Sequence, residues 1–144
     1  MSKRVAKIYS NSDAETSVQS LSSGQLIVLI YERIFDNLRL GKHALENGEH
    51  GIDAFTKAHD LIQQGLLACI DFKAGGDIAL NLSAIYEWSL REIINARVTN
   101  SPQKVQEIIE ILMPLYEAWI ALAPKEAVRS LASPSSLELV SGVR

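Results

Sequence analysis

Three histidines, one cysteine and a scatter of carboxylates are the residues that could do chemistry. His43, His50 and His59 raise two options, a metal site or a phosphoryl-accepting imidazole. His43 and His50 stand beside a loop, with no pattern of cysteines or carboxylates at ligand spacing. His59 falls on an apolar stripe and reads more simply as a hydrogen-bonded core histidine. Cys69 lies on an apolar face, where a thiol is an inert core residue far more often than a nucleophile. Asp71, Asp77, Glu87 and Glu92 sit on polar faces or at helix ends, and no spacing pairs them as acid and base. The Gly75-Gly76 pair is no phosphate loop, because no Gly-Lys-Ser/Thr follows it. Tyr86 and Trp88 could stack a ligand, but aromatics at helical spacing more often fill a core. No enzyme emerges from these residues, and no metal or cofactor is expected.

The elements that carry them are helices. Leu21-Ser22-Ser23-Gly24-Gln25-Leu26 reads as a helix start: Ser22 as N-cap and Gln25 three residues on form a capping box, with Leu21 and Leu26 as a hydrophobic staple. This first helix should reach about Asn47, with Gly48 beyond its end. A second helix is expected over residues 51–71, with Ile52, Phe55, His59, Ile62, Leu66, Cys69 and Ile70 inward and Gly65 at a close approach. A tight turn at Ala74-Gly75-Gly76-Asp77 leads into a third helix over residues 76–99, one of the glycines adopting positive φ. Ser101-Pro102 opens a fourth helix, which Pro114 should bend and Pro124 should end. Short loops between helices of this length predict an all-α fold, an antiparallel up-down four-helix bundle.

Residues 1–20 divide into an apolar-faced piece carrying Val5, Ile8 and Tyr9 and a polar linker, and residues 21–123 form the bundle. Residues 124–144 read as a loose tail, although Leu137, Leu139 and Val140 are apolar enough to adhere to a surface. The chain has 144 residues and a net charge of -3. One domain is the natural count, and no basic stripe points to nucleic acid. A lone cysteine excludes an internal disulfide and fits a reducing compartment. The longest apolar run, residues 26–31, is too short to span a bilayer, and Met1-Ser2-Lys3-Arg4 is not followed by the apolar stretch of a secretory signal. A cytoplasmic protein without stable membrane insertion is expected. The excess of apolar residues on the first and third helices fits either an ordinary core with some chance exposure or a groove for an amphipathic segment, whose surface would then be Leu26, Ile27, Ile30, Ile34, Ile78, Leu82 and Ile85.

The order and spacing of Asp71, Gly75-Gly76, Ile78-Ala79, Asn81-Leu82, Tyr86 and Ala96 resemble the flagellar export chaperone family FliS. Tyr9, Ser22-Ser23 before Leu26, Leu29-x-Tyr31 and Glu117-Ala118-Trp119 extend the resemblance over about residues 5–122. Arg97 stands where the family usually has Asn, Trp88 replaces the second aromatic of Tyr-x-Tyr, and Glu92 takes the place of a basic residue. The resemblance implies a cytoplasmic chaperone that binds the C-terminal segment of flagellin. That segment is disordered in the monomer and helical in the filament, so holding it prevents premature polymerisation. The complex would then pass to a flagellar export gate protein. The groove would be covered in the free protein by Val5, Ile8 and Tyr9, which flagellin displaces and the gate reads. A histidine phosphotransfer bundle and an adaptor for another exported protein are the alternative readings, and a homodimer stays open as an arrangement.

Overall fold

The computed structural model describes residues 22–130, with side chains through Leu122. The expectations on Val5, Ile8 and Tyr9, on Leu21 and on Leu137, Leu139 and Val140 lie outside the described residues. Helix α1 spans Ser23–Glu46. Its capping box forms as the sequence implies: Ser22 N–H donates to Gln25 Oε1 at 3.0 Å, and Gln25 N–H to Ser22 Oγ at 3.2 Å. At the other end Gly48 takes φ 77°. Gly48 N–H then reaches Leu45 O at 3.1 Å and Glu49 N–H reaches Ala44 O at 2.8 Å, which satisfies two orphan carbonyls.

Helix α2 spans Ile52–Asp60, shorter than expected. A π-helical turn, Leu61–Leu66, and a 3-10 turn, Leu67–Cys69, follow it. The expected continuous helix to residue 71 is therefore corrected: its second half changes pitch twice. Apolar periodicity cannot reveal this, because Leu61, Ile62 and Leu66 stay buried throughout. Ile52, expected inward, is exposed at the start of α2. Gly65 lies within the wide turn, and a Cβ there would stand 3.3 Å from the Ile30 side chain. The close approach inferred for this glycine is real.

The chain then reverses through Ile70 and Asp71, both extended. Helix α3 spans Phe72–Val98, and Asp71 caps it by accepting from Ala74 N–H at 3.0 Å. The turn expected at residues 74–77 is thus displaced towards the N-terminus. What Gly76 provides is a break inside α3, at φ 54° and ψ −128°; Gly75 keeps helical geometry. Asp71 competes successfully for the helix start because its carboxylate can satisfy a free N–H.

Helix α4 spans Pro102–Ser130, with Ser101 Oγ accepting from Lys104 N–H at 3.2 Å. The start matches expectation. The end does not, since the helix passes Pro114 and Pro124 and continues to Ser130. Each proline removes one backbone donor, at about 3 kcal/mol, but a helix of 29 residues keeps its remaining bonds.

The four helices form the antiparallel bundle. α1 packs on α2 and α4, and α3 closes the ring against α4 and the last turns of α2. Ile30, Ile34 and Leu38 of α1 join Phe55 of α2, Ile62 of the π turn, Ile93 of α3, and Val105, Ile108 and Leu112 of α4 in one core. Tyr31 and Tyr86 face each other across it with hydroxyls 2.6 Å apart. Burial raises both pKa values well above the usual phenol range, so both stay neutral.

Candidate apolar groove

The irregular junction between α2 and α3 leaves an opening. A straight α2 would carry its inward stripe to the chain reversal and pack it against the neighbours. The π turn and the 3-10 turn instead rotate Cys69 and Ile70 out of register, and the break at Gly76 sets the first turn of α3 apart from the rest. Between these pieces runs a groove of about 330 Å³. Leu66, Cys69 and Ile70 form one wall, and Ala74, Gly75, Ile78 and Leu82 form the other. Ile27 of α1 and Trp119 of α4 close the far side, with Tyr86 and Ala79 also lining it. Asp71 brings the one charged side chain in this lining, and that carboxylate is engaged in capping α3.

The groove opens to solvent along α3. Ile78 is 71% exposed, and Phe72 and Leu80 stand exposed on the same helix. A large apolar side chain left this open forfeits about 1.5–3 kcal/mol of burial that a covering segment would recover. The floor is fixed by contrast: the Tyr86 hydroxyl is tied to Tyr31, whose ring lies 6.2 Å from those of Phe35 and Tyr116. A second opening of about 400 Å³ lies at the other end, lined by His50, Ile52, Ile94, Arg97 and Val98. It is the larger space, but two of its five lining residues are His and Arg, so it offers less apolar wall.

Of the surface expected from sequence, Ile27, Ile78 and Leu82 line the groove. Leu26, Ile30 and Ile34 do not: they are buried in the core, with Ile30 and Ile34 fully covered. The correction has a simple cause. α1 is flanked by two helices and the wide turn of α2, so it has partners for most of its apolar circumference. Ile85 is half-buried and packs on the core beside the groove. Leu66, Cys69, Ile70 and Trp119 belong to core stripes by their spacing, and only the change of helical pitch opens a groove beside them.

The other reactive candidates scatter. His43 is exposed, 4.0 Å from Glu46 and hydrogen-bonded to Asn47 at 3.0 Å. His50 is exposed and His59 only half-buried, at the edge of the core that Phe55, Ala58 and Ile62 fill. Among the described residues no three His, Cys, Asp or Glu side chains gather as a metal would require, and no helix is long and apolar enough to cross a membrane. Glu92, the acidic replacement, pairs with Lys104 of α4 at 3.8 Å.

Fold and groove together define a helical bundle with a preformed apolar cleft, the type of surface that receives an amphipathic segment. Family membership makes this specific. Residues 5–126 match the model of the flagellar protein FliS, and the chain belongs to the FliS family. It is 33% identical over 121 residues to the flagellar secretion chaperone FliS of Salmonella typhimurium, covering 83% of this chain and 90% of that one. It is 26% identical over 132 residues to the same chaperone of Escherichia coli, covering 90% and 91%. With that of Bacillus subtilis it shares 25% over 120 residues, covering 81% and 83%. By its family the chain is a flagellar export chaperone.

Proposed function

We propose that this chain binds the C-terminal segment of flagellin in the groove between the α2–α3 junction, α1 and α4. It holds the subunit unpolymerised in the cytoplasm and delivers it to the flagellar export gate. The observation that carries this reading is the open apolar cleft itself, with Ile78 exposed on a helix whose floor is locked by Tyr86. A disordered segment loses conformational freedom when it binds, so its partner must offer apolar surface that needs little rearrangement. Neither nucleotide nor catalytic group enters the task. The N-terminal piece bearing Val5, Ile8 and Tyr9 covers part of the cleft before flagellin arrives and contacts the gate once displaced.

Calorimetry with a C-terminal flagellin peptide tests the reading. One-to-one binding with a negative heat-capacity change is the expected result. Ile78→Ser should weaken it by about tenfold, the equivalent of roughly 1.4 kcal/mol, while leaving thermal stability nearly unchanged. No heat of binding at high micromolar peptide would overturn the assignment.

A further inference from the structure

The chain beyond α4 is in a position to use the same groove. Trp119 lines the groove and α4 continues from it to Ser130, eleven residues further, or about 17 Å of helix. The family match ends at residue 126, so the residues after α4 lie outside the matched region. There Pro134 disfavours helical geometry at Ser133 and is flanked by Ser133, Ser135 and Ser136, a stretch suited to reversing the chain. Leu137-Glu138-Leu139-Val140 comes next. In an extended segment Leu137 and Leu139 share one face and Glu138 points away. Seven residues separate Ser130 from Leu137, with a reach of about 23 Å when extended. That exceeds the 17 Å back along α4 to Trp119.

We propose that Leu137 and Leu139 fold back into the groove beside Trp119 and Ile78, making the chain's own C-terminal segment a tethered competitor of cargo. The groove and its cargo are those of the function proposed above, on which the competition rests. The occupant suits the cleft: two leucines meet an apolar lining, and Glu138 stays in water, away from the Asp71 carboxylate. Tethering supplies the rest. A segment held this close has an effective concentration in the millimolar range, so a contact too weak to detect between separate molecules still occupies its part of the groove, beside Trp119 and Ile78, much of the time. Cargo then binds with its affinity reduced by the fraction of groove left open.

The test uses the full chain carrying Leu137→Asp and Leu139→Asp, neither of which is among the core residues described above. Acrylamide quenching of tryptophan emission and hydrogen exchange over residues 78–82 are compared with the unaltered chain, without cargo. Both should increase in the variant, and a flagellin C-terminal peptide should bind it about three- to tenfold more tightly. Equal quenching and exchange in the two chains overturn the fold-back. So does increased exchange with unaltered peptide affinity, because the segment would then cover the helix without competing. If quenching and exchange rise but the peptide binds neither chain, the contact stands and the flagellin assignment fails in its place.

Discussion

The connection from α1 to α2 and the connection from α2 to α3 bring together similar helices with opposite results. The first is closely packed between α1 and α2, although His50 and Ile52 beside it line the second opening towards α3. Gly48 and Gly51 both take positive φ, and the ring of Phe55 lies over Gly41, where a Cβ would stand only 2.5 Å from ring carbons. Backbone contact replaces side-chain filling, and Phe55 is completely buried. The second is left open. A wide turn, a narrow turn, an extended pair and a break at Gly76 leave a groove between these turns and α3. Small residues at a crossing close a bundle, whereas irregular helix at a crossing preserves a cavity beside it.

The closely packed connection should be the more fragile. Gly41→Val pushes a branched side chain into the Phe55 ring, and overpacking of this kind costs about 1–3 kcal/mol. The expected result is a fall in the thermal midpoint on the order of 10 °C. A midpoint unchanged by this substitution would show that Phe55 can swing aside and that the packing is loose.

The floor of the open connection should respond to pH. Tyr31 and Tyr86 ionise less readily folded than unfolded, because burial raises both pKa values. A raised folded pKa gives stability that is complete below the unfolded value, about 10, and is lost as pH climbs beyond it. Denaturant titrations at rising pH should therefore show a decline setting in near pH 10. Tyr31→Phe should lower stability by about 1–2 kcal/mol at neutral pH, since the Tyr86 hydroxyl loses its partner, and should flatten that decline. An alkaline decline as steep in the variant as in the parent would place its origin elsewhere.

The smallest effect belongs to the break in α3. Gly76→Ala places a Cβ on a residue at φ 54°, where nothing crowds it but the backbone is unfavourable for it. The expected loss is about 1 kcal/mol, read by thermal melt. If the substitution stabilises the chain, the break is not intrinsic and α3 can straighten.

Much of the fold could be read from the sequence because its signals are local. The Ser22–Gln25 capping box, Gly48 past the end of α1 and Ser101-Pro102 before α4 each act within a few residues, and each forms as read. The groove depends on less local facts. Ile27, Ile78 and Leu82 are recognisable as surplus apolar residues, but nothing in the spacing of Ile30 and Ile34 tells a helix with three neighbours from a helix with two. Leu66, Cys69 and Ile70 follow a helical period perfectly well. Their change of direction comes from a backbone that departs from that period, which side-chain order does not record. Pro124 misleads for the converse reason: one lost hydrogen bond is a local defect, and the length of α4 absorbs it.

The π turn at Leu61–Leu66 has a bearing on how such chains diverge. A wide turn holds one residue more than an α-helix needs over the same rise, so deleting a residue there would let the helix run on in ordinary α geometry. An insertion or deletion that no such turn absorbed would instead rotate everything between that point and the chain reversal by about 100° relative to the bundle. Cys69 and Ile70 would leave the groove wall together and other side chains would take their place, with no substitution having occurred. Insertions and deletions in this short stretch are thus a direct evolutionary route to altered cargo preference, open to chains whose groove residues are otherwise identical.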